Sequence, residues 1–273
     1  MKTKDLLEWY QAHARALPWR QEPRDPYHVV VSEFMLQQTQ VDRVVPRFEA
    51  FVGRFPTFEV LAGAAEEEVL EEWSGLGYYR RVRMLHRLAK EVKERSGGLP
   101  KTARELEKLP GIGTYTAAAV ASLAFGEARP VLDGNVMRVG ARVLAMKLDT
   151  RSVEGRRQLE SWISGLFGTE SPGRVNEALM ELGATVCRPR NPGCEGCPLR
   201  DHCGAHAQGE PTRFPPTKAG VNKKTLRVAF AWLVTQRGLW LAQRPLDGLW
   251  AGLWELPSET GSGAKKRLGA RLR

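Results

Sequence analysis

The stretch LPGIGTYTAAAV, residues 109–120, decides how this chain is expected to fold. It lies between two helical patterns, residues 102–108 and 114–125, and therefore forms the turn that joins two helices. Gly111 and Gly113 let the turn approach a partner closely, while Ile112 between them anchors it in the core. The free amides and the dipole at the start of the second helix suit a phosphate group. Because a lone G-x-G also occurs in ordinary helix connections, the turn by itself leaves that alternative open.

Four cysteines lie within seventeen residues of one another, in the pattern C-x6-C-x2-C-x5-C, and the chain has no others. They are Cys187, Cys194, Cys197 and Cys203. Thiolates at such close offsets are typical of a site for one soft metal centre, whereas disulfide pairing needs no such crowding. The outer gaps match neither the paired zinc pattern nor the ferredoxin spacings. From the spacing, structural zinc and iron–sulfur stay equally open.

The composition indicates a protein with an anionic partner. The 273 residues carry a net charge of +10, and 42% of them are hydrophobic, which is ordinary for a globular protein. Nucleic acid is the first expectation for that partner, although a basic protein can also be merely soluble. No apolar run reaches membrane-spanning length, and the amino terminus is amphipathic rather than a signal peptide. A reducing, cytoplasmic (nucleoid-associated) location and no membrane partner are therefore expected.

The hydrophobic periodicity divides the chain into three parts. Residues 1–204 have helical spacing throughout, including one continuous pattern over residues 58–73. Residues 205–224 are rich in proline, glycine and threonine and predict a linker. Strand patterns appear over residues 226–235 and 239–243, and Arg237-Gly238 between them predicts a hairpin. Residues 261–273 are basic and show no core pattern, so the region 225–273 is expected to be a short and apparently incomplete β segment.

Several motifs together resemble a known family. LPGIGTYTAAAV resembles the helix-hairpin-helix of DNA glycosylases, and VLDGNVMRV resembles the segment that carries their catalytic aspartate. The cysteine loop is similar to the iron–sulfur loop of the endonuclease III and adenine glycosylase branches. LPWR, VSEFMLQQTQV and GLGYYRRVRMLH resemble the adenine DNA glycosylase (MutY-like) family. The similarity extends over roughly residues 6–203.

This resemblance implies a mainly α fold with two helical subdomains. One is a six-helix barrel that contains the helix-hairpin-helix, the other is the iron–sulfur subdomain, and DNA binds in the cleft between them. It implies a 4Fe-4S cluster on Cys187, Cys194, Cys197 and Cys203. The implied activity is base excision repair by a monomer, acting on double-stranded DNA that contains A·8-oxoguanine or A·G mispairs.

Two carboxyl groups are the expected catalytic pair. Breaking an N-glycosidic bond through a cationic sugar suits one proton donor and one anion. Glu33 matches the family's general acid, and its apolar neighbours favour the raised pKa that this role needs. Asp133 matches the anion, and Asn135 is expected to support it by hydrogen bonding. Taken alone, Glu33 reads as a solvated or capping residue and Asp133 as a turn and helix cap, which are the commoner uses.

Tyr115 separates two branches of the superfamily. Endonuclease III-like relatives have a lysine at this place, which attacks the sugar as an amine and then cleaves the strand. Tyrosine cannot form a Schiff base, so the chain is expected to excise the base and stop. The remaining alternatives are an endonuclease III-like glycosylase/lyase and a non-catalytic DNA-binding iron–sulfur module.

Further contacts follow from the same resemblance. Residues expected to enter or contact the duplex and to line the base pocket are Arg20, Leu36, Gln38, Thr39, Leu76, Tyr78, Gly111, Gly113 and Glu177. Leu76 and Tyr78 fit core positions equally well, and Trp19 and Trp73 are expected to pack. Residues 225–257 resemble the opening strands of the family's Nudix-like C-terminal domain, whose pyrophosphohydrolase signature is absent from the sequence.

Overall fold

Contacts divide the chain into two units, Met1–Lys218 and Ala219–Arg273. The computed structural model describes residues 3–216, 225–245 and 252–272, and each unit is presented by itself. The expected linker and C-terminal segment therefore lie partly outside the described residues. Within residues 205–216 the chain is not extended: Ala205 and Phe214 are both buried in the first unit.

The first unit is helical, as the sequence predicts. Its α-helices are α1 (Thr3–His13), α2 (Pro26–Leu36), α3 (Val41–Arg54), α4 (Phe58–Gly63), α5 (Glu66–Glu72), α6 (Arg80–Glu94), α7 (Ala103–Leu106), α8 (Thr114–Phe125), α9 (Gly134–Val143), α10 (Val153–Phe167), α11 (Pro172–Thr185) and α12 (Gly204–Ala207). Short 3-10 turns cover Pro18–Arg20, Cys194–Gly196, Arg200–His202 and Pro211–Arg213. Among the described helices, none combines the length and the apolar character needed to span a bilayer.

Side-chain caps fix several of the helix starts. Asp25 accepts a hydrogen bond from the Tyr27 amide at the start of α2, and Thr57 caps α4 in the same way. Residues 58–73 form two helices rather than the continuous helix that the periodicity predicts. The break comes at Ala65, where the Glu68 side chain accepts from the backbone amide of Ala65 and starts a new helix. Local hydrogen bonding thus overrides the hydrophobic period.

Two large core clusters hold the described helices of this unit together. The first is formed by residues of α2 to α8, around Trp73, Phe34 and Phe51. The second joins α1 to α9, α10 and α11, although α1 is far from them in sequence. The chain therefore builds two helical subdomains, which confirms the predicted fold class.

The turn before α8 depends on the absence of a side chain at Gly111. Its φ of +75° lies in the left-handed region. A Cβ built there would lie 2.6 Å from the Cβ of Met84 and 2.9 Å from the Cε1 of Phe34. Gly113 has an extended backbone, and a Cβ there would meet nothing within 4 Å. Gly111 is therefore required by packing, while Gly113 leaves the helix start open.

The second unit has short antiparallel strand pairs. β1 (Val228–Phe230) pairs with β6 (Ser258–Thr260), β2 (Val234–Thr235) with β3 (Gly238–Leu239), and β4 (Ala242–Gln243) with β5 (Trp254–Glu255). The β2–β3 pair forms the predicted hairpin, but its turn is at residues 236–237, because Gly238, which the sequence predicts to lie in the turn, begins β3 and pairs with Thr235.

The end of the second unit corrects the sequence prediction. Ala264–Arg271 form the helix α13, in a stretch that was expected to show no core pattern. Ala264 and Leu268 are both buried, and they are four residues apart. Basic side chains surround them in the sequence and hide this short apolar face.

Gly111→Ala is expected to destabilise the protein by about 2 kcal/mol or more, because it combines a left-handed backbone with overpacking against Phe34 and Met84. Chemical denaturation measures the change in the free energy of unfolding. Gly113→Ala is the matched control, and its effect should stay below about 1 kcal/mol, since the added methyl group enters open space. Equal losses in the two variants would contradict this account of the turn.

Candidate active site

A cavity of about 590 Å³ opens in the first unit. A volume of this size is typical of small-molecule sites and accommodates a nucleobase. Its wall comes from α2, the segment before α2, and the first turns of α8 and α9, together with one face of α11. The residues that the sequence predicted for the site and that line this cavity are Arg20, Glu33, Leu36, Gln38, Thr39, Tyr115, Asp133, Asn135 and Glu177.

Glu33 is a buried acid on an apolar helix. Its side chain is 4% exposed, and its Oε2 atom has no hydrogen-bond partner among the described residues. Burial raises the pKa of Glu33, a hydrogen bond with Tyr115 lowers it, and the charges of Asp133 and Glu177 raise it, so that the pKa is about 7. Glu33 therefore keeps its proton up to about neutral pH. One of its carboxyl oxygens makes no hydrogen bond to the described residues and can carry the proton that is donated.

Asp133 lies across the cavity as the cap of α9. Its Oδ1 accepts from the Val136 amide at 2.6 Å, and its Oδ2 accepts from the Asn135 side chain at 3.0 Å. Burial raises the pKa of Asp133, whereas these hydrogen bonds and the charge of Arg138 favour its ionised form. Asp133 therefore caps α9, as the tripeptide predicts, and also lines the cavity.

Asn135 is held by close packing of α9 on α11. A Cβ at Gly183 would lie 2.6 Å from the Cβ of Asn135, so the two helices approach closely only because residue 183 has no side chain. Arg138 then donates to the Asn135 Oδ1 at 2.8 Å and to the Gly183 carbonyl at 2.8 Å. This packing fixes the amide that donates to Asp133.

Tyr115 stands in the first turn of α8, between the two acids. Burial raises the pKa of its hydroxyl well above the usual value, and the charges of Glu33 and Asp133 raise it further. The hydroxyl therefore stays neutral and acts as a hydrogen-bond donor. Among the described residues that line the cavity there is no lysine.

A network of arginines and glutamates forms the opposite wall. Arg24 donates to both oxygens of Glu177, at 2.9 and 2.6 Å, and Arg15 donates to both oxygens of Glu181, at 2.7 and 3.0 Å. Arg20 joins the two pairs, because it lies 3.6 Å from Glu177 and donates to Glu181 at 2.9 Å. Both glutamates are buried. The wall therefore carries charged side chains, and its arginines and glutamates form ion pairs with one another.

The sequence prediction included Arg20 and Glu177 but missed Arg15, Arg24 and Glu181. A signal was present, since Glu177 and Glu181 are four residues apart on a helix whose other buried residues, apart from Asn176, are apolar. Two acids on one buried face require cationic partners. The sequence does not show which arginines supply them, because the partners lie about 150 residues away.

Two loops carry residues with a left-handed backbone, and one of them, residues 37–39, lines the cavity. Gln38 has a φ of 57° and Tyr78 a φ of 49°, and the Tyr78 side chain is 62% exposed. Leu76, expected to contact DNA beside them, is 6% exposed and packs in the core. Its side chain therefore supports the loop rather than lying at the surface. Gly111 and Gly113 are exposed at the start of α8 and lie outside the cavity wall.

The four cysteines are half-buried free thiols within electrostatic range of one another. Burial and the neighbouring sulfurs raise the pKa of Cys197 to about 11. In the described part of the chain, no three metal-binding side chains are close enough to hold a single ion. Four soft sulfur donors in one loop are a donor set that both zinc and an iron–sulfur centre accept. Arg142 donates to the Cys187 Sγ at 3.3 Å.

Glu33→Gln is expected to stabilise the protein selectively at alkaline pH. The unfolded chain ionises Glu33 near pH 4.5, whereas the folded chain keeps the proton until about pH 7. As the pH rises through this window, the unfolded state loses a proton that the folded state retains, so the free energy of unfolding falls by about 3 kcal/mol. Glutamine does not ionise, so the free energy of unfolding of the variant does not fall in this way. Chemical denaturation below pH 4.5 and above pH 7 measures the difference from wild type.

Glu181→Gln is the matched control, because its pH trend has the opposite sign. Burial acts to raise the pKa of Glu181, but hydrogen bonds and charges from Arg15 and Arg20 lower it overall. Its contribution to stability is present above pH 4.5 and is lost as the pH falls through the folded-state pKa. At neutral pH we expect this variant to lose about 3 kcal/mol. The same pH trend in both variants would contradict the assignment of a neutral Glu33.

Comparisons with known proteins identify relatives of this chain. Residues 31–164 match the family model of the HhH-GPD superfamily base excision DNA repair protein. The chain is 41% identical to an adenine DNA glycosylase of Mycobacterium tuberculosis, over 78% of this chain and 71% of that protein. It is 38% identical to the adenine DNA glycosylases of rat and human, over 94% and 93% of this chain. It spans 60% and 57% of the lengths of those two relatives.

Solved structures share the fold. A thermostable thymine-DNA glycosylase is 28% identical and aligns with a TM-score of 0.67 over 76% of this chain and 95% of its own. Endonuclease III in a non-covalent DNA complex, at 21% identity, aligns with a TM-score of 0.61 over 77% of this chain and 98% of its own, which shows the fold. From the sequence relatives and the family model, the chain belongs to the adenine DNA glycosylase family of the HhH-GPD superfamily.

Proposed function

We propose that this chain is a monofunctional DNA glycosylase that excises adenine mispaired with 8-oxoguanine or guanine. The observation that carries the proposal is the buried Glu33, which lines a cavity of nucleobase size and has one oxygen without a hydrogen-bond partner among the described residues. A non-catalytic DNA-binding module has no need of an acid that is costly to bury. The names of the relatives from Mycobacterium tuberculosis, rat and human support adenine as the base.

In the proposed reaction, the adenine leaves the duplex and enters the cavity. Glu33 donates its proton to N7, the bond between C1′ and N9 breaks, and the bonding electrons leave with the base. Asp133, as the anion, stabilises the positive charge that develops on the sugar. Water then adds to C1′ and releases its proton to the ionised Glu33. The products are free adenine and an abasic site.

Strand cleavage is not part of this proposal. A lyase step needs an amine that forms a Schiff base with the sugar. Tyr115 occupies the place between the acids, and the described lining of the cavity lacks a lysine. We assign to Tyr115 a hydrogen bond that holds Glu33 in place until the base arrives.

The DNA contacts are proposals of the same kind. Gly111 and Gly113 are exposed at the start of α8, whose first amides have no side-chain cap, and they suit a phosphate. Gln38 and Tyr78 are proposed to enter the duplex, with further contacts from Leu36 and Thr39, which line the cavity together with Gln38. Arg20 and Glu177 are proposed to contact the edge of the flipped base.

We further propose that the four cysteines hold a 4Fe-4S cluster. The cluster, when bound, fixes the loop of residues 187–203 as a rigid element; Arg188, Arg190 and Arg200 are then available to contact phosphates. Iron and acid-labile sulfide analysis should give four of each per chain, and Cys197→Ser should lose both. We expect this variant to lose duplex affinity more than the rate of the chemical step. Full cluster content in the variant would contradict the assignment.

The activity is tested with an A·8-oxoguanine duplex that is analysed with and without alkali after incubation. Strand breakage that requires alkali is the expected result, since an abasic site is stable until alkali cleaves it. Breakage without alkali would indicate the lyase alternative, and an intact strand in both lanes would indicate a binding module. Tyr115→Lys tests the same distinction, because it supplies an amine at the place where the lyases carry one.

Glu33→Gln should abolish excision but preserve duplex binding, and Asp133→Asn should slow excision severely. The single-turnover rate of the wild-type protein should fall as the pH rises through about 7, where Glu33 loses its proton. Gel-shift binding measured beside the rates separates chemistry from affinity. Normal base release by Glu33→Gln would contradict the mechanism.

A further inference from the structure

Arg81, in the first turn of α6, donates to the end of α2. Its Nη1 atom contacts the carbonyl oxygens of Phe34 and Met35, both at 3.0 Å, and also that of Gln37. These carbonyls lie at the carboxyl end of a helix, where the helix dipole and the free acceptors favour a cation. One half of the guanidinium therefore closes the end of the helix that carries the proposed acid.

The other half of the same guanidinium contacts a second segment. Its Nη2 atom donates to the carbonyl oxygens of Leu76 at 3.1 Å and Gly77 at 3.3 Å. It also donates to the hydroxyl of Thr39 at 3.1 Å, which belongs to the first segment. Arg81 thus joins residues 37–39 to residues 76–78 through one planar group.

Charge pairing does not explain why Arg81 is there. In the described part of the chain it takes part in no ion pair, and its Nε atom is buried without a hydrogen-bond partner. Its guanidinium lies over the rings of Trp73 and Tyr78, at 5.5 and 5.3 Å from their centroids. A half-buried cation that lies among carbonyls and rings, without a charged partner, is retained for the geometry that it imposes.

Each joined segment contains a residue with a left-handed backbone. Gln38 lies in the first segment and Tyr78 in the second, and neither is a glycine. Such conformations persist when the surroundings fix them, and they gather at functional sites. Gln38 lines the cavity, and the Tyr78 side chain, on the segment that Arg81 joins to it, is largely exposed. The guanidinium of Arg81 forms hydrogen bonds with the neighbours of Gln38 and of Tyr78, and these bonds hold both segments in place.

We propose that Arg81 is a positioning residue that sets the distance between these two loops, so that Gln38 and Tyr78 enter the duplex at the same base pair. This inference rests on the proposed function, because the loops need a duplex to enter. Lysine would keep the charge of Arg81 but lose the fork, since an ammonium group cannot reach both segments in one plane.

Arg81→Lys tests this role, and Arg83→Lys is the matched control. Arg83 lies on the same helix and pairs with Glu66 at 2.9 Å. Hydrogen exchange of the free protein should become faster at residues 37–39 and 76–78 in Arg81→Lys, and it should stay unchanged there in Arg83→Lys. Thermal unfolding checks that both variants fold. If Arg81→Lys fails to fold, Thr39→Val, which removes one acceptor of Nη2, is used instead.

The second measurement uses a duplex in which 2-aminopurine replaces the target adenine and fluoresces when it leaves the stack. Arg81→Lys should reduce this signal and the single-turnover excision rate roughly tenfold or more. In a Gln38→Ala/Tyr78→Ala background, Arg81→Lys should cause no further loss, because it acts through these two residues. A general structural role would give the same loss in both backgrounds, and that result overturns the inference.

The outcomes also separate this inference from the proposed function. If the wild-type protein neither extrudes 2-aminopurine nor excises adenine, the proposed function fails, and the inference fails with it. If the wild-type protein does both, and Arg81→Lys matches it in exchange and in fluorescence, the inference alone is wrong.

Discussion

The removal of water from the Glu33 carboxyl group is the constraint on which the rest of the site depends. Burial removes water from the carboxyl and raises its pKa, and the helix α2 that carries it is buried along most of its length, including Val30, Val31 and Met35. Phe34 follows Glu33 in the sequence, and its ring occupies the space that a side chain at residue 111 would need. The turn proposed to grip a phosphate therefore packs against the helix that carries the acid, and the two roles are coupled by one contact.

The glutamates that line the cavity differ in whether they have cationic partners. Glu33 has no cationic partner among the described residues and keeps its proton, whereas Glu177 and Glu181 lie among three arginines and are paired as anions. Burial is common to all three, so the partners decide the charge. This division gives a proton donor at one wall and a fixed charged surface at the other.

Glu33, Asp133 and Tyr115 could be proposed from the sequence because each belongs to a short local pattern, and the structure brings the three to one cavity. The helix α8 begins at the expected residue. Interactions between distant segments were not predictable in the same way. The partners of Glu181 come from the other end of the chain, and Arg81 is specified by carbonyl positions rather than by any residue type. The break before α5 and the helix α13 were missed because local caps and a basic surface mask short apolar patterns.

A carboxyl titration of the folded protein tests the central claim most directly. Glutamate labelled with ¹³C at the carboxyl carbon gives one signal per residue, and the signal absent from Glu33→Gln belongs to Glu33. We predict that this signal titrates near pH 7, as expected for a desolvated acid beside Asp133 and Glu177. A titration near the ordinary value of 4.5 would contradict the account, because the acid would then be ionised where the reaction needs its proton.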